Sequence, residues 1–129
     1  MTAQSRDAEN PKANEANRAG AGTDAKAVYK QGFDRFVKND AQGAIDFYRA
    51  AIEIDPALAI AWNGISMALA KLGQVDEAIE AAERLVELEP DDPLSHTNLS
   101  RILMQKGLIQ EAEDAKAKAM GLQMRSNRS

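Results

Sequence analysis

Residues 59–92 read AIAWNGISMALAKLGQVDEAIEAAERLVELEPDD. Trp62, Ile65, Ser66 and Leu69 recur at the spacing that places side chains on one face of a helix, and Ala78, Ala82, Leu85 and Val86 do the same on a second helix. Gly73 lies between the two segments and Pro90 follows the second, so the stretch predicts a helical hairpin with a stop after it. The neighbouring sequence repeats this design. Ala44, Ala78 and Ala112 fall at a constant interval of 34, as do Gly32, Ser66 and Ser100, and as do Pro56 and Pro90. Three unlike residue types sharing one period indicate stacked copies of a single unit, and every unit is helical.

The order within one unit resembles the tetratricopeptide repeat, W-x-x-L-G-x-x-Y, then A-x-x-x-F, then P, with Ser66 in place of Gly, Leu69 for Tyr and Ala82 for Phe. The resemblance implies an all-α fold, a right-handed superhelix (solenoid) of three helical hairpins. Its copies run at about 25–58, 59–92 and 93–122. In the first copy, Val28, Tyr29, Gly32, Phe33, Phe36 and Val37 predict one helix, and Ala44, Ile45, Phe47, Tyr48, Ala51 and Ile52 predict the next, over about 41–54. Gln31 and Arg35 depart from the family pattern. The third copy opens on Asp92 and Pro93, a side-chain cap followed by the one helical position where proline is tolerated. Its second helix is expected over 109–122, with Lys116 where earlier copies place Tyr48 and Ala82 against the next hairpin. A charge there predicts that no further repeat docks, with Glu113, Asp114 and Lys116 forming a polar end cap.

Outside the repeats, residues 1–24 lack Leu, Ile, Val, Phe, Tyr and Trp, so they are expected to form a disordered tail that buries too little to offset its ordering entropy. Residues 123–129 are expected to fray. The 129-residue chain carries a net charge of −4 and no Cys, which excludes disulfides and thiolate metal sites. No stretch approaches the roughly 20 apolar residues of a membrane span, and no charged leader precedes an apolar run, so the expected location is the cytoplasm. Neither a basic stripe nor a basic arm is present for nucleic acid.

Helix geometry separates two faces of each first helix. The face bearing Ile60, Asn63, Met67, Ala70 and Lys71 is centred about 140° from the packing face. Equivalent positions are Lys26, Tyr29, Phe33, Phe36 and Val37 in the first copy, and Leu94, Thr97, Arg101, Met104 and Gln105 in the third. Stacking sets them side by side as a concave groove, and family members hold an extended or helical peptide of another protein at these positions. The candidate partner-binding residues are therefore Tyr29, Phe33, Phe36, Val37, Ile60, Asn63, Met67, Lys71, Leu94, Thr97, Arg101 and Met104. Their apolar area exceeds what monomers commonly leave exposed. Three coverings compete: a peptide or amphipathic helix of a partner, a second copy of the chain acting as a structural subunit, and an extension of the core.

The heat-shock-protein carboxylate clamp found in some family members requires cations and asparagines at the positions held here by Tyr29, Phe33, Gly64, Leu94 and Asn98, none of which keeps its type, so that ligand is not expected. Catalysis has no residue set either. His96 is the only histidine and sits at the packing position of Val28 and Trp62, no phosphate-binding glycine loop occurs, and the acidic runs read as caps and solvated surface. No enzyme activity, cofactor or metal is expected.

Overall fold

The structure, a computed structural model, describes residues 24–128. The tail expected over residues 1–24 lies outside these, apart from Asp24. Six helices follow in order: α1 (Ala25–Val37), α2 (Ala41–Ile54), α3 (Ala59–Lys71), α4 (Val75–Leu88), α5 (Pro93–Lys106) and α6 (Ile109–Arg128). Each packs on the next along the chain, and α1, α3 and α5 also touch one another across the hairpins. That pattern makes α1, α3 and α5 the inner layer of a right-handed all-α superhelix, with α2, α4 and α6 outside.

Local chemistry sets the helix ends. The Asp24 carboxylate accepts from the Lys26 and Ala27 amides, Asp40 from the Gly43 amide at 2.9 Å, and Asp92 from the Leu94 amide at 3.0 Å, with Pro93 in the first turn. Every hairpin turns through one left-handed residue at the same repeat position: Asn39, Gly73 and Gly107, with φ of 67°, 80° and 90°. The following amides of Asp40, Gln74 and Leu108 donate back to the carbonyls of Arg35, Leu69 and Leu103 at 2.8, 2.9 and 3.0 Å. Glycine takes this conformation without a Cβ penalty, and asparagine tolerates it better than most residues.

Within each hairpin the repeated alanine is fully enclosed. Ala44, Ala78 and Ala112 have no exposed surface, and a larger side chain at any of them would force the two helices apart. A further periodic bond closes the entry to the second and third hairpins. The Trp62 indole Nε1 donates to the Pro56 carbonyl at 2.8 Å, and His96 Nε2 lies 2.7 Å from the equivalent Pro90 carbonyl. A carbonyl only accepts, so Nε2 carries the proton. His96 is thus buried and satisfied, as its packing position implied.

The last helix departs from expectation. It continues to Arg128, six residues past the end expected at Leu122, although its buried stripe of Ala112, Ala115, Ala119 and Leu122 stops there. Burial ends but the backbone ladder does not, because no proline follows. Arg125 and Arg128 suit the negative end of the helix dipole, and Gln123 bonds Asn127 one turn on.

Candidate functional site

The hairpins must first be joined before their inner helices can form a surface, and the two junctions are built differently. At the first, the ring of Tyr48 is buried between Gly32 of α1 and Gly64 of α3, where a Cβ on either glycine would come within 2.8 Å of it. Tyr29 stacks on the same ring with centroids 5.5 Å apart. Burial, and secondarily the neighbouring Tyr29, raises the Tyr48 phenol above its usual pKa; burial raises that of Tyr29. At the second junction the corresponding positions are Ala82, Ser66 and Asn98. There the Asn98 amide donates to the Ser66 hydroxyl at 2.8 Å, in a buried bridge between α5 and α3, and Ser66 in turn donates to the Asn63 carbonyl.

On the inner surface, two further contacts hold neighbouring helices in register, and both use the same pair of repeat positions. Lys71 Nζ lies 5.3 Å from the centroid of the Phe36 ring, linking α3 to α1. The Gln105 side-chain amide donates to the Ala70 carbonyl at 2.9 Å, linking α5 to α3. These contacts join the last turns of the three inner helices. The outward side chains of the row expected from the sequence are Phe33 at 47% exposure, Val37 at 61%, Ile60 at 45%, Met67 at 37%, Leu94 at 72% and Met104 at 46%. Phe33 stacks against Tyr29 with centroids 6.3 Å apart.

Three other expected members are less free. Tyr29 and Phe36 are half-buried and rest against the core, so each divides its ring between packing and the surface. Asn63 is half-buried with its carbonyl engaged by Ser66. Lys71, Thr97 and Arg101 are exposed, and the Thr97 hydroxyl donates to the Pro93 carbonyl of its own helix.

Two features were not read from the sequence. A cavity of about 630 Å³ opens on the other side, between α2 and α4, with Ile52, Trp62, Ile65 and Leu69 among its lining and the Arg49–Glu77 ion pair at 3.4 Å beside it. Trp62 is thus half-buried rather than enclosed, with the Arg84 guanidinium 6.0 Å from its ring centroid. A second cavity of about 300 Å³ lies at the C-terminal end, between Thr97, Ser100, Arg101 and Met104 of α5 and Glu113 and Lys116 of α6. Glu113 and Lys116, expected from the sequence to form a polar end cap, are both exposed there. Comparing equivalent positions of successive copies was the signal available for both junctions. Among the described residues no group of His, Asp or Glu could hold a metal ion, and no helix is long and apolar enough to cross a membrane.

Stacked hairpins of period 34, a shared left-handed turn and an inner row of exposed side chains agree with the family model of the tetratricopeptide repeat, which matches residues 38–97. The chain belongs to the tetratricopeptide repeat family. Its similarity to an uncharacterized protein of Methanocaldococcus jannaschii is 34% identity over 65 residues, 50% of this chain and 76% of that one. The peroxisomal targeting signal receptor of Saccharomyces cerevisiae is 30% identical over 77 residues, 60% of this chain but only 13% of the receptor. Among solved structures, MamA superposes with a TM-score of 0.81 at 25% identity, covering 89% of this chain and 69% of that one. The chain spans only a small part of the length of the receptor it matches.

Proposed function

We propose that this chain is a non-catalytic interaction module that holds a peptide or helical segment of another protein along the inner surface of its three hairpins. One observation carries the reading: Phe33, Val37, Ile60, Met67, Leu94 and Met104 stay exposed in one row, although each hairpin buries other apolar side chains completely. Exposed apolar surface of this extent marks an interaction site. The yeast relative is by name a receptor for a targeting signal, which supports peptide recognition as the use of the fold.

The test compares two variants in parallel for stability and for partner capture. Phe33→Ala with Met67→Ala is expected to leave the melting temperature nearly unchanged and to weaken capture by about 2 kcal/mol or more, since central aromatic and methionine contacts dominate such interfaces. Trp62→Ala, which removes a packing side chain and its bond to Pro56, is expected to lower stability by about 3 kcal/mol. If the Phe33 and Met67 pair unfolds the chain as badly as Trp62→Ala does, the row belongs to the core and the reading fails.

A further inference from the structure

The two layers of the solenoid carry opposite charge. The inner helices α1, α3 and α5 hold six cationic side chains, Lys26, Lys30, Arg35, Lys71, Arg101 and Lys106, and a single anionic one, Asp34. The outer helices α2, α4 and α6 hold six cationic and ten anionic side chains. An acidic chain of net charge −4 has therefore kept carboxylates almost entirely off one layer.

The asymmetry sharpens on the groove itself. Among the fifteen groove positions the residues charged at neutral pH are Lys26, Lys71 and Arg101, all cationic. Asp34 is not among them. It occupies the repeat position of Ala68 and Ile102, on the stripe that carries Gly64 against the preceding hairpin, and it lies beside Gln31, Arg35, Lys38 and Phe47. Of the six inner-layer cations, two are paired among the described residues, and neither belongs to the groove; Lys30, also off the groove, is unpaired. Off the groove, Arg35 and Lys106 are neutralised by Asp40 and Asp76 at 3.6 and 2.8 Å, whereas Lys26, Lys71 and Arg101 have no carboxylate within salt-bridge distance. Glu113 lines the end cavity with Arg101 but forms no such bridge with it.

Unneutralised cations beside exposed apolar side chains favour an occupant that brings both carboxylates and apolar groups, since complementary potential sets which partners are accepted and like charges are rejected. Phe33, Val37, Ile60 and Met67 supply the apolar share, Lys71 and Arg101 the charge. We propose that the groove selects a polypeptide segment in which acidic side chains alternate with apolar ones, with no need for a free C-terminal carboxylate. The proposal rests on the groove being the binding site. A nucleic acid would bring charge without apolar side chains and would leave most of the row uncovered.

Three synthetic peptides of equal length and leucine content, with glutamate, lysine or serine between the leucines and both ends capped, provide the probe. Binding to the full chain is read by fluorescence anisotropy. The glutamate peptide is expected to bind roughly tenfold or more tighter than the lysine peptide, and to weaken as salt shortens the screening length below about 8 Å. Lys71→Gln with Arg101→Gln should level the two affinities, and Lys71→Glu with Arg101→Glu should invert their order; circular dichroism confirms that each variant stays folded. Equal binding of all three peptides, lost with Phe33→Ala, would overturn the charge selection while leaving the groove a binding site. An uncapped glutamate peptide binding far tighter than the capped one would overturn it in favour of a terminal carboxylate. So would a single-stranded oligonucleotide held as tightly as the glutamate peptide, in favour of a general polyanion site. A concentration-dependent dimer broken by Lys71→Glu with Arg101→Glu would assign the groove to a second copy. Failure of every peptide to bind would also overturn the proposal, and the capture comparison of the Phe33 and Met67 pair then decides separately whether the groove binds anything.

Discussion

The two junctions between hairpins occupy equivalent positions and solve the same packing problem with opposite chemistry. At the first, a large ring enters and the flanking helices give way by having no side chain at all, at Gly32 and Gly64. At the second, the outer helix contributes only Ala82, and the space is closed from the inner layer by the Asn98 to Ser66 hydrogen bond. An aromatic wedge stabilises through buried area and contact. A buried polar bridge stabilises only as long as both partners remain, so the two junctions should respond differently to the loss of one side chain.

The largest expected effect comes from Tyr48→Ala, which empties the space between two glycines that cannot fill it; a loss of about 3 to 5 kcal/mol in urea unfolding is expected. A loss below about 1 kcal/mol would mean that α1 and α3 close over the gap. At the other junction, Asn98→Ala leaves the Ser66 hydroxyl buried with a lost partner and should destabilise by about 1 to 3 kcal/mol. Exchange of the two designs is a sharper test. Ala82→Tyr alone should overpack against Ser66 and Asn98, at a loss of about 1 to 3 kcal/mol or more, and adding Ser66→Gly and Asn98→Gly should recover part of it. If the added glycines make matters worse by more than their helix penalty of about 1 kcal/mol each, the junctions are not interchangeable.

Alkaline pH separates the junctions as well. Burial holds the Tyr48 phenol neutral, so its folded pKa lies above the unfolded value near 10, and the folded chain keeps a proton that the unfolded chain gives up. The stability this contributes is present below about pH 10 and is lost as the pH rises above it. Unfolding free energy should therefore fall across that range, and Tyr48→Phe should remove most of the decline, leaving the smaller share of Tyr29. A variant that declines as steeply as the parent would place the titration elsewhere.

The smallest expected effect tests what the copies share. Asn39 takes the left-handed turn that Gly73 and Gly107 take in later hairpins, and its amide donates to Phe36 as theirs do to Ala70 and Met104. Asn39→Gly should stabilise by a few tenths of a kcal/mol, up to about 1, and Gly73→Ala should destabilise by about 1. Equal and opposite shifts in thermal midpoint would show that the first turn differs from the others only in its side chain.

The fold was legible because its signals are local and periodic. Ala44, Ala78 and Ala112 mark enclosed positions simply by being small at a fixed interval, and the groove row follows from angular separation on a helix. The junctions were not legible in the same way. Each depends on three positions drawn from three helices, so Gly64 and Asn98 look like unrelated residues until Tyr48 and Ala82 are set beside them. The end of α6 escaped for a different reason: apolar periodicity reports burial, and the last turns of that helix are held by backbone hydrogen bonds and side-chain pairs without any. The half-burial of Tyr29 and Phe36 depends on ring orientation, which periodicity does not resolve.

Trp62 gives the molecule a built-in witness. It is the only tryptophan in the chain, its indole is tied to the Pro56 carbonyl, and it stands beside the junction wedged by Tyr48. Its emission therefore reports mainly on the first two hairpins, whereas helical circular dichroism counts all three. In a solenoid held together by nearest-neighbour contacts, ends can loosen before the middle. A dichroism transition that begins at lower denaturant than the fluorescence transition would reveal the C-terminal hairpin peeling away by itself, so the protein can report the order of its own unfolding without any attached label.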